Sequence, residues 1–413
     1  MSRAGVLVLQ MVLLSTPAWA QDMPDMQHER MPMAPSRWTF MQDAVVFGML
    51  NDQGSPRGST EFRVPNWWMG MFEHRLFRGL FSVTTMLSLD PATVTNRGYA
   101  EDFQVGETYH GAAIIDRQHP HDFLMQAAAV WRTPIGHGAA LTLAGAPVGE
   151  PALGPVAYMH RSSAAEIPTA PLGHHTLDST HITMGVVTAG IDRGPFQVES
   201  SIFHGAEPDE NRWDLMDPGP LDSWSVRVWF RPTREWTVQA SHGYLTKPEA
   251  LEEGDVRRTT ASIGWKRDRR DGWTSLTLAW GRNQKLGGLY EAYLGELTRQ
   301  YHRGTVFWRA EITQVETDVL RTGVHSAGGR KNAHVVQPGA RDFVGAFTAG
   351  GTWTLWKPRG WDVAAGGEVV GYAVPANLSP FYGSRPWSEQ LFVRIRPPAK
   401  HRMMDVTMTR HMS

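Results

Sequence analysis

The stretch Trp224-Ser225-Val226-Arg227-Val228-Trp229-Phe230 alternates with a period of two. In an extended chain, Trp224, Val226, Val228 and Phe230 point to one side, and Ser225, Arg227 and Trp229 to the other. The first set suits hydrocarbon and the second a polar interior, which is the division a membrane-spanning strand requires. The pattern recurs in both directions. Trp236, Val238 and Ala240 oppose Thr237, Gln239 and Ser241; Leu276, Leu278 and Trp280 oppose Ser275, Thr277 and Ala279. Val306, Trp308, Ala310 and Ile312 oppose Phe307, Arg309, Glu311 and Thr313; Leu391, Val393 and Ile395 oppose Gln390, Phe392, Arg394 and Arg396. From Trp38 to Arg396 almost nothing has a helical period. One stretch, Leu289 to Gln300, changes parity near Glu296, which predicts a bulge or an early end to its lipid face.

The connections fix the architecture. Tight turns marked by Gly or Pro fall at Arg78-Gly79, Pro134 to Gly138, Asp192 to Gly194, Pro232 to Glu235, Asp268 to Gly272, His302 to Gly304 and Lys357 to Gly360. Longer links alternate with them: Asn51 to Pro65, Asp90 to His121, Val148 to Asp178, Gly205 to Leu221, Thr246 to Asp255, Gln284 to Gly287, Glu316 to Arg341 and Pro375 to Pro386. Short turns on one rim and long loops on the other predict an all-β fold, a transmembrane antiparallel up-and-down β-barrel of about sixteen strands, within a range of about fourteen to eighteen, with periplasmic turns and extracellular loops. Trp67, Trp68, Trp131, Trp236, Trp273, Trp353, Trp361 and Trp387 fall towards strand ends, where interfacial girdles sit. A soluble propeller would show a blade-length repeat, and no recurrent motif has such a period.

Composition bounds the rest. Mean hydropathy is −0.33, which a barrel tolerates because only alternate strand residues meet lipid. Net charge of −1 leaves no footprint for nucleic acid. Cysteine is absent, so disulfides, thiol nucleophiles and thiolate metal sites are all excluded. Residues 1–20, with Arg3, an apolar run and Ala18-Trp19-Ala20, read as a cleaved export signal, and export together with the barrel pattern gives the cell outer membrane as the expected location. A flexible Met/His-rich periplasmic leader follows over 21–37, then the barrel over 38–396 and a flexible Met/His-containing tail over 397–413.

Candidate metal ligands fall into two groups. Met23, Met26, His28, Met31 and Met33 in the leader are thioethers and imidazoles of the kind that suit copper, with His401, Met403, Met404, Met408, His411 and Met412 as their echo in the tail. In the loops, Pro120 biases His119 towards an extended conformation, so His119 and His121 point to one side with Asp122 beside them. His174, His175 and His181 lie in the next long loop, and His204 and Glu207 open the one after. All share one predicted rim and can converge there; local hydrogen bonding of each ring is the alternative. Inward charges at Glu199, Arg227, Lys266, Arg309, Glu311, Glu368 and Arg394 are of mixed sign, which favours bracing across the lumen over ion selectivity.

Trp38 to Leu50, Pro65 to Met71, Met86 to Pro91, Asp116 to Asp122 and Phe203 to Asp214 resemble an uncharacterised family of exported bacterial barrel-like proteins. The likeness covers most of the mature chain and implies a barrel without implying an activity. The leader resembles, in composition, those of outer-membrane copper-resistance proteins. Bacterial barrels commonly end on an aromatic residue, whereas here a tail follows Arg396, which leaves the region of Phe392 to supply an internal assembly signal.

Together these features predict a non-enzymatic outer-membrane channel or binding barrel that handles a transition metal such as copper. Its expected partners are outer-membrane lipid, the barrel-assembly machinery and a metal ion or small solute. Two alternatives stay open: an outer-membrane hydrolase with a His/Asp site on the extracellular rim, and a plugged barrel that anchors a partner.

Overall fold

A computed structural model describes residues 37–215, 219–286, 288–322, 340–399 and 404–409. The leader residues Met23, Met26, His28, Met31 and Met33, and the export signal, lie outside the described residues. Strands occupy nearly the whole of the remainder. They are β1 (Thr39–Gln53), β2 (Thr60–Arg63), β3 (Asn66–Leu76), β4 (Gly79–Leu87), β5 (Tyr99–Tyr109), β6 (Ala112–Gln118), β7 (Leu124–Gly136), β8 (Ala139–Gly149) and β9 (Thr183–Arg193). Then follow β10 (Phe196–Phe203), β11 (Ser223–Phe230), β12 (Trp236–Leu245), β13 (Val256–Arg269), β14 (Gly272–Lys285), β15 (Gly288–Tyr301), β16 (Gly304–Glu316), β17 (Arg341–Trp356), β18 (Asp362–Ala373) and β19 (Trp387–Arg396).

Sixteen of these form a closed antiparallel barrel: successive strands pair as neighbours, and the β1–β19 ladder, running from Val46↔Ile395 to Gln53↔Ser388, closes the sheet. The short strand β2 pairs with β1 inside the first long loop. Closure leaves no open sheet edge, which a hydrocarbon surround demands of a spanning sheet. Alternation holds as read: Trp224, Val226 and Val228 are exposed outward, whereas Ser225, Arg227 and Trp229 are buried inward. The β7–β8 turn is made by His137 and Gly138 at φ 52° and 70°, the left-handed pair that tight hairpins favour. Among the described residues no helix is long and apolar enough to cross a membrane, so the strands alone can span it.

Three expectations about the strands and their connections need correction. β15 has no bulge at Glu296; its register against β14 and β16 is unbroken, and Ala292 and Leu294 face inward because Leu177 of a lumenal loop packs on them. Trp67 is no girdle residue. It is 7% exposed, and its indole packs edge-on against His160 at 5.0 Å. The link expected as a loop at Gln284 to Gly287 is a tight one, because β14 runs to Lys285 and β15 begins at Gly288.

The lumen is occupied by the chain itself. Residues 150–182, expected as an extracellular loop, are buried almost throughout and turn through short helical segments at Tyr158–His160, Ser162–Ala164, His174–Leu177 and Ser179–His181. Irregular backbone at membrane depth needs partners for its amides and carbonyls. The inward side chains of the strands supply them. Ser201 and Ser241 hydroxyls accept from the Ala152 and Gly154 amides at 2.8 and 2.9 Å, while Thr298, Arg309 and Arg258 donate to the carbonyls of Ser163, Thr169 and His175. The preceding loop adds the β5–β6 hairpin, which pairs with no barrel strand. Met404, Val406 and Met408, expected in a free tail, are also buried: the Asp405 amide donates to the His160 carbonyl at 2.6 Å, and its carboxylate accepts from the Ser162 amide at 3.0 Å.

Candidate functional site: an imidazole cluster in the lumen

His119 and His121 arrive from the strand-entry segment after β6, and His174, His175 and His181 from the loop between β8 and β9. The structure brings all five together. Ring centroids lie 5.2 Å apart for His174 and His181, 5.6 Å for His121 and His181, 5.3 Å for His119 and His175, 5.4 Å for His174 and His175, and 6.0 Å for His119 and His174.

In four of the rings Nδ1 is fixed by an acceptor. His174 Nδ1 meets Asp178 Oδ1 at 2.7 Å, four residues on along the same helical turn, and His121 Nδ1 meets Asp90 Oδ2 at 2.8 Å. His181 Nδ1 meets the Asp178 carbonyl at 2.9 Å, and His119 Nδ1 lies between Glu107 Oε1 at 3.1 Å and the Pro120 carbonyl at 3.2 Å. With the proton on Nδ1, each Nε2 carries a lone pair. The Nε2 atoms of His119, His174 and His181 are buried and have no hydrogen-bond partner among the described residues, while His121 Nε2 is 3.4 Å from the Tyr158 hydroxyl. Burial pulls the pKa of His119, His174 and His181 below the ordinary imidazole value, and for His119 and His181 well below it; neighbouring rings add to the effect. The three are therefore neutral at pH 7.

Glu107 owes its aim to a distorted hairpin. Register shifts interrupt the β5–β6 ladder between Ala100 and Thr108, and Phe103 and Glu107 sit at φ 70° and 56°. Such bulges re-aim side chains, here turning Glu107 towards His119 and Arg212. Gly106 beside it leaves room for the His175 ring, since a Cβ there would lie 2.1 Å from Nε2 and force the ring to shift.

A second constellation sits beside the rings. His175, Glu207 and Glu249 each bring one ligand atom within 4.8 Å of the others, and His175 and Glu249 line a cavity of about 100 Å³ together with Glu107 and Lys285. Burial disfavours a charged His175 ring, but the Glu207 carboxylate, 3.6 Å from Nδ1, holds its pKa up at about 9. Burial, and then Glu207, push the Glu249 carboxyl up to about 7.

Two expected ligands take no part. Asp122 Oδ1 accepts from Arg212 at 3.2 Å, and His204 Nδ1 bonds the Pro220 carbonyl at 3.0 Å with Asp222 at 3.8 Å. Asp90, Glu107, Tyr158, Asp178 and Glu249 complete the site and were not singled out in the sequence. Only Asp178 had a local signal, its four-residue spacing from His174.

Of the inward charges, Glu199, Arg227, Lys266, Arg309 and Arg394 form ion pairs, whereas Glu311 accepts from the Gly173 amide and Glu368 from the Thr169 hydroxyl, each at 3.5 Å. Arg161 is held by Glu296 at 2.9 and 3.1 Å, Asp178 at 2.5 Å and the Val156 carbonyl at 2.9 Å; Arg309 reaches Glu296 at 3.1 Å. Arg227 bonds Glu199 and Glu150, both at 2.8 Å, and Arg394 bonds Glu166 and Asp362.

No protein-family model and no curated protein matches the sequence. Solved outer-membrane porins share its fold. The chain is similar to an anion-selective porin from Comamonas acidovorans, with a TM-score of 0.51 and 8% identity over 87% of this chain and 100% of the porin. It is likewise similar to OprB of Pseudomonas putida (0.51 and 11%, covering 87% and 94%) and to OmpF of Salmonella typhi (0.50 and 10%, covering 87% and 97%). At such identities the likeness is one of fold. A closed sixteen-strand antiparallel barrel with an apolar exterior defines the protein as a porin-like barrel of the outer membrane.

Proposed function

We propose that this barrel binds a transition-metal cation, copper being the foremost candidate, at the imidazole cluster of its lumen. The observation that carries the reading is the set of three buried rings, His119, His174 and His181, each with Nδ1 held by a carboxylate or carbonyl and Nε2 left without a partner. An unsatisfied buried polar atom costs about 1–3 kcal/mol, and three in one place call for an explanation. A ligand that takes lone pairs provides one: metal-bound histidines characteristically donate their other N–H to a carboxylate or carbonyl. Imidazole suits Cu, Zn and Ni, and the Irving–Williams order places Cu(II) highest.

His175, Glu207 and Glu249 give the cation a first contact on the loop side, beside the small cavity. The packed lumen favours binding over free diffusion through an open pore. Burial of the His174–Asp178 pair, whose side chains are 0% and 1% exposed, favours a small ion over a larger substrate at these rings.

The test is metal content. Purified barrel in detergent, incubated with Cu(II) and desalted, should retain copper, and a His119→Ala/His174→Ala/His181→Ala variant should retain at least tenfold less. Equal retention by the two proteins would sink the proposal.

A further inference from the structure

The methionines of the barrel strands are distributed unevenly. Seven occur: Met41 and Met49 on β1, Met69 and Met71 on β3, Met86 on β4, Met125 on β7 and Met184 on β9. Strands β10 to β19 contain none. All seven point inward. Six are at most 4% exposed, Met41 is partly buried, and none occupies a lipid-facing position.

Methionine used as general apolar filling would fall on both faces and all round the barrel. Here it marks one face of one wall, where a lumen ordinarily carries polar groups. Packing alone is better served by Leu, Ile and Val, whose rotamers specify a core more sharply than a flexible thioether does.

Register places these side chains in rungs. Met41 lies directly opposite Met71 on β1 and β3, and Met69 directly opposite Met86 on β3 and β4. Opposed residues of antiparallel strands have Cβ atoms about 4.5–5.5 Å apart, close enough for two thioethers to grip one ion. Asp43 faces Met69 across the β1–β3 ladder and is wholly buried, its Oδ1 accepting from the Ala44 amide at 2.9 Å. Met159 and Tyr158 of the lumenal loop pack into the same cluster, and Tyr158 touches the rings of His121 and His174. The wall thus runs from the short-turn rim, near Met41, up to the imidazoles.

We infer that this wall is a second site, built from the Met41–Met71 and Met69–Met86 rungs, for a soft monovalent cation of the Cu(I) or Ag(I) class. Thioether sulfur selects such ions. The inference deepens the proposed metal function by naming a different ion and different ligands, and it shares with that reading only the access of ions to the lumen.

Ag(I) is the probe, since it requires no reductant. The full-length barrel in detergent is titrated with Ag(I), and bound silver per barrel is measured at fixed free silver, with X-ray absorption reporting sulfur around the ion. Met41→Leu/Met71→Leu/Met69→Leu/Met86→Leu conserves volume; its fold is checked by circular dichroism and by the heat-dependent gel shift of intact barrels. Leader and tail methionines are unchanged, so their contribution cancels in the difference. The expected result is loss of at least one silver per barrel in the leucine variant and full silver retention in the triple alanine variant of the imidazole cluster. Unchanged silver in a folded leucine variant overturns the inference. Loss of silver in the imidazole variant alone overturns it too, by moving the ion to the rings. Silver retained by wild type that never retains Cu(II) would fail the proposed function while leaving this site standing.

Discussion

Two polar clusters are buried in the same lumen and are built on opposite principles. Around Arg161, every guanidinium nitrogen meets an acceptor, and both Glu296 oxygens are shared between Arg161 and either Arg309 or Ser163. Around His174, three rings, His119, His174 and His181, are anchored at Nδ1 and left open at Nε2. The first arrangement is complete within the protein, so it braces; the second is complete only with something added. Full pairing of buried charge marks structure, and half-satisfied rings mark a receptor.

The largest effect that sharpens this contrast is on the brace. Arg161→Met leaves Asp178 and Glu296 buried without their main counter-ion, and breaking such a pair costs about 3–5 kcal/mol. Urea unfolding followed by tryptophan fluorescence should show a loss of that order, and a change below about 1 kcal/mol would mean that the cluster does not brace. Next comes the receptor: His181→Ala should lower retained Cu(II) by at least tenfold while costing less stability than Arg161→Met. If its stability loss matched that of Arg161→Met, the two clusters would not differ in kind.

The next effect is expected behind the rings, at the group that orients one of them. Asp90→Asn keeps the bulk beside His121 and removes the charge that orients its Nδ1, and loss of such an outer partner costs about 10–100-fold in metal affinity. Calorimetric titration with Cu(II) would report it.

The smallest and most discriminating effect is that of pH. His175 stays protonated until about pH 9, so an ion binding there must displace a proton, and affinity at that entry site should rise with pH from 6 to 9. Burial depresses the pKa values of His119, His174 and His181 below the ordinary imidazole value, so binding there should be nearly flat above pH 7. Glu249→Gln should abolish the rising component and leave the flat one. A single pH profile unaffected by that substitution would merge the two sites into one.

The barrel was legible because alternation and turn chemistry are local. Seven tight turns and eight links read from Gly, Pro and residue parity coincide with the sixteen barrel strands found. Leu294 misled because it obeys a rule the strand alone does not contain: a lumen packed by its own loop accepts apolar residues inward, as Leu177 shows. For the same reason the site was half legible. Histidines announce themselves, and their loops share a rim, so the meeting of His119, His121, His174, His175 and His181 could be anticipated. Their carboxylate anchors could not, since Asp90 and Glu107 reach the rings through a turn and a bulged hairpin whose course is set by tertiary contacts.

The lumenal loop also reaches the place where the sheet joins itself. Glu166 engages Arg394 of β19, lies 3.7 Å from Arg396, and accepts from Thr352 of β17 at 3.1 Å, while the Ala165 carbonyl accepts from Arg396. Strand β19 is the one whose far edge meets β1, and a side-chain bond across that seam, Gln390 to Asn51, spans 339 positions of the chain. The loop therefore works as a keystone set from within. Glu166 thus ties the strand at the seam to the loop that fills the barrel, so the position of β19 at the closure is set from inside as well as by its two neighbouring strands.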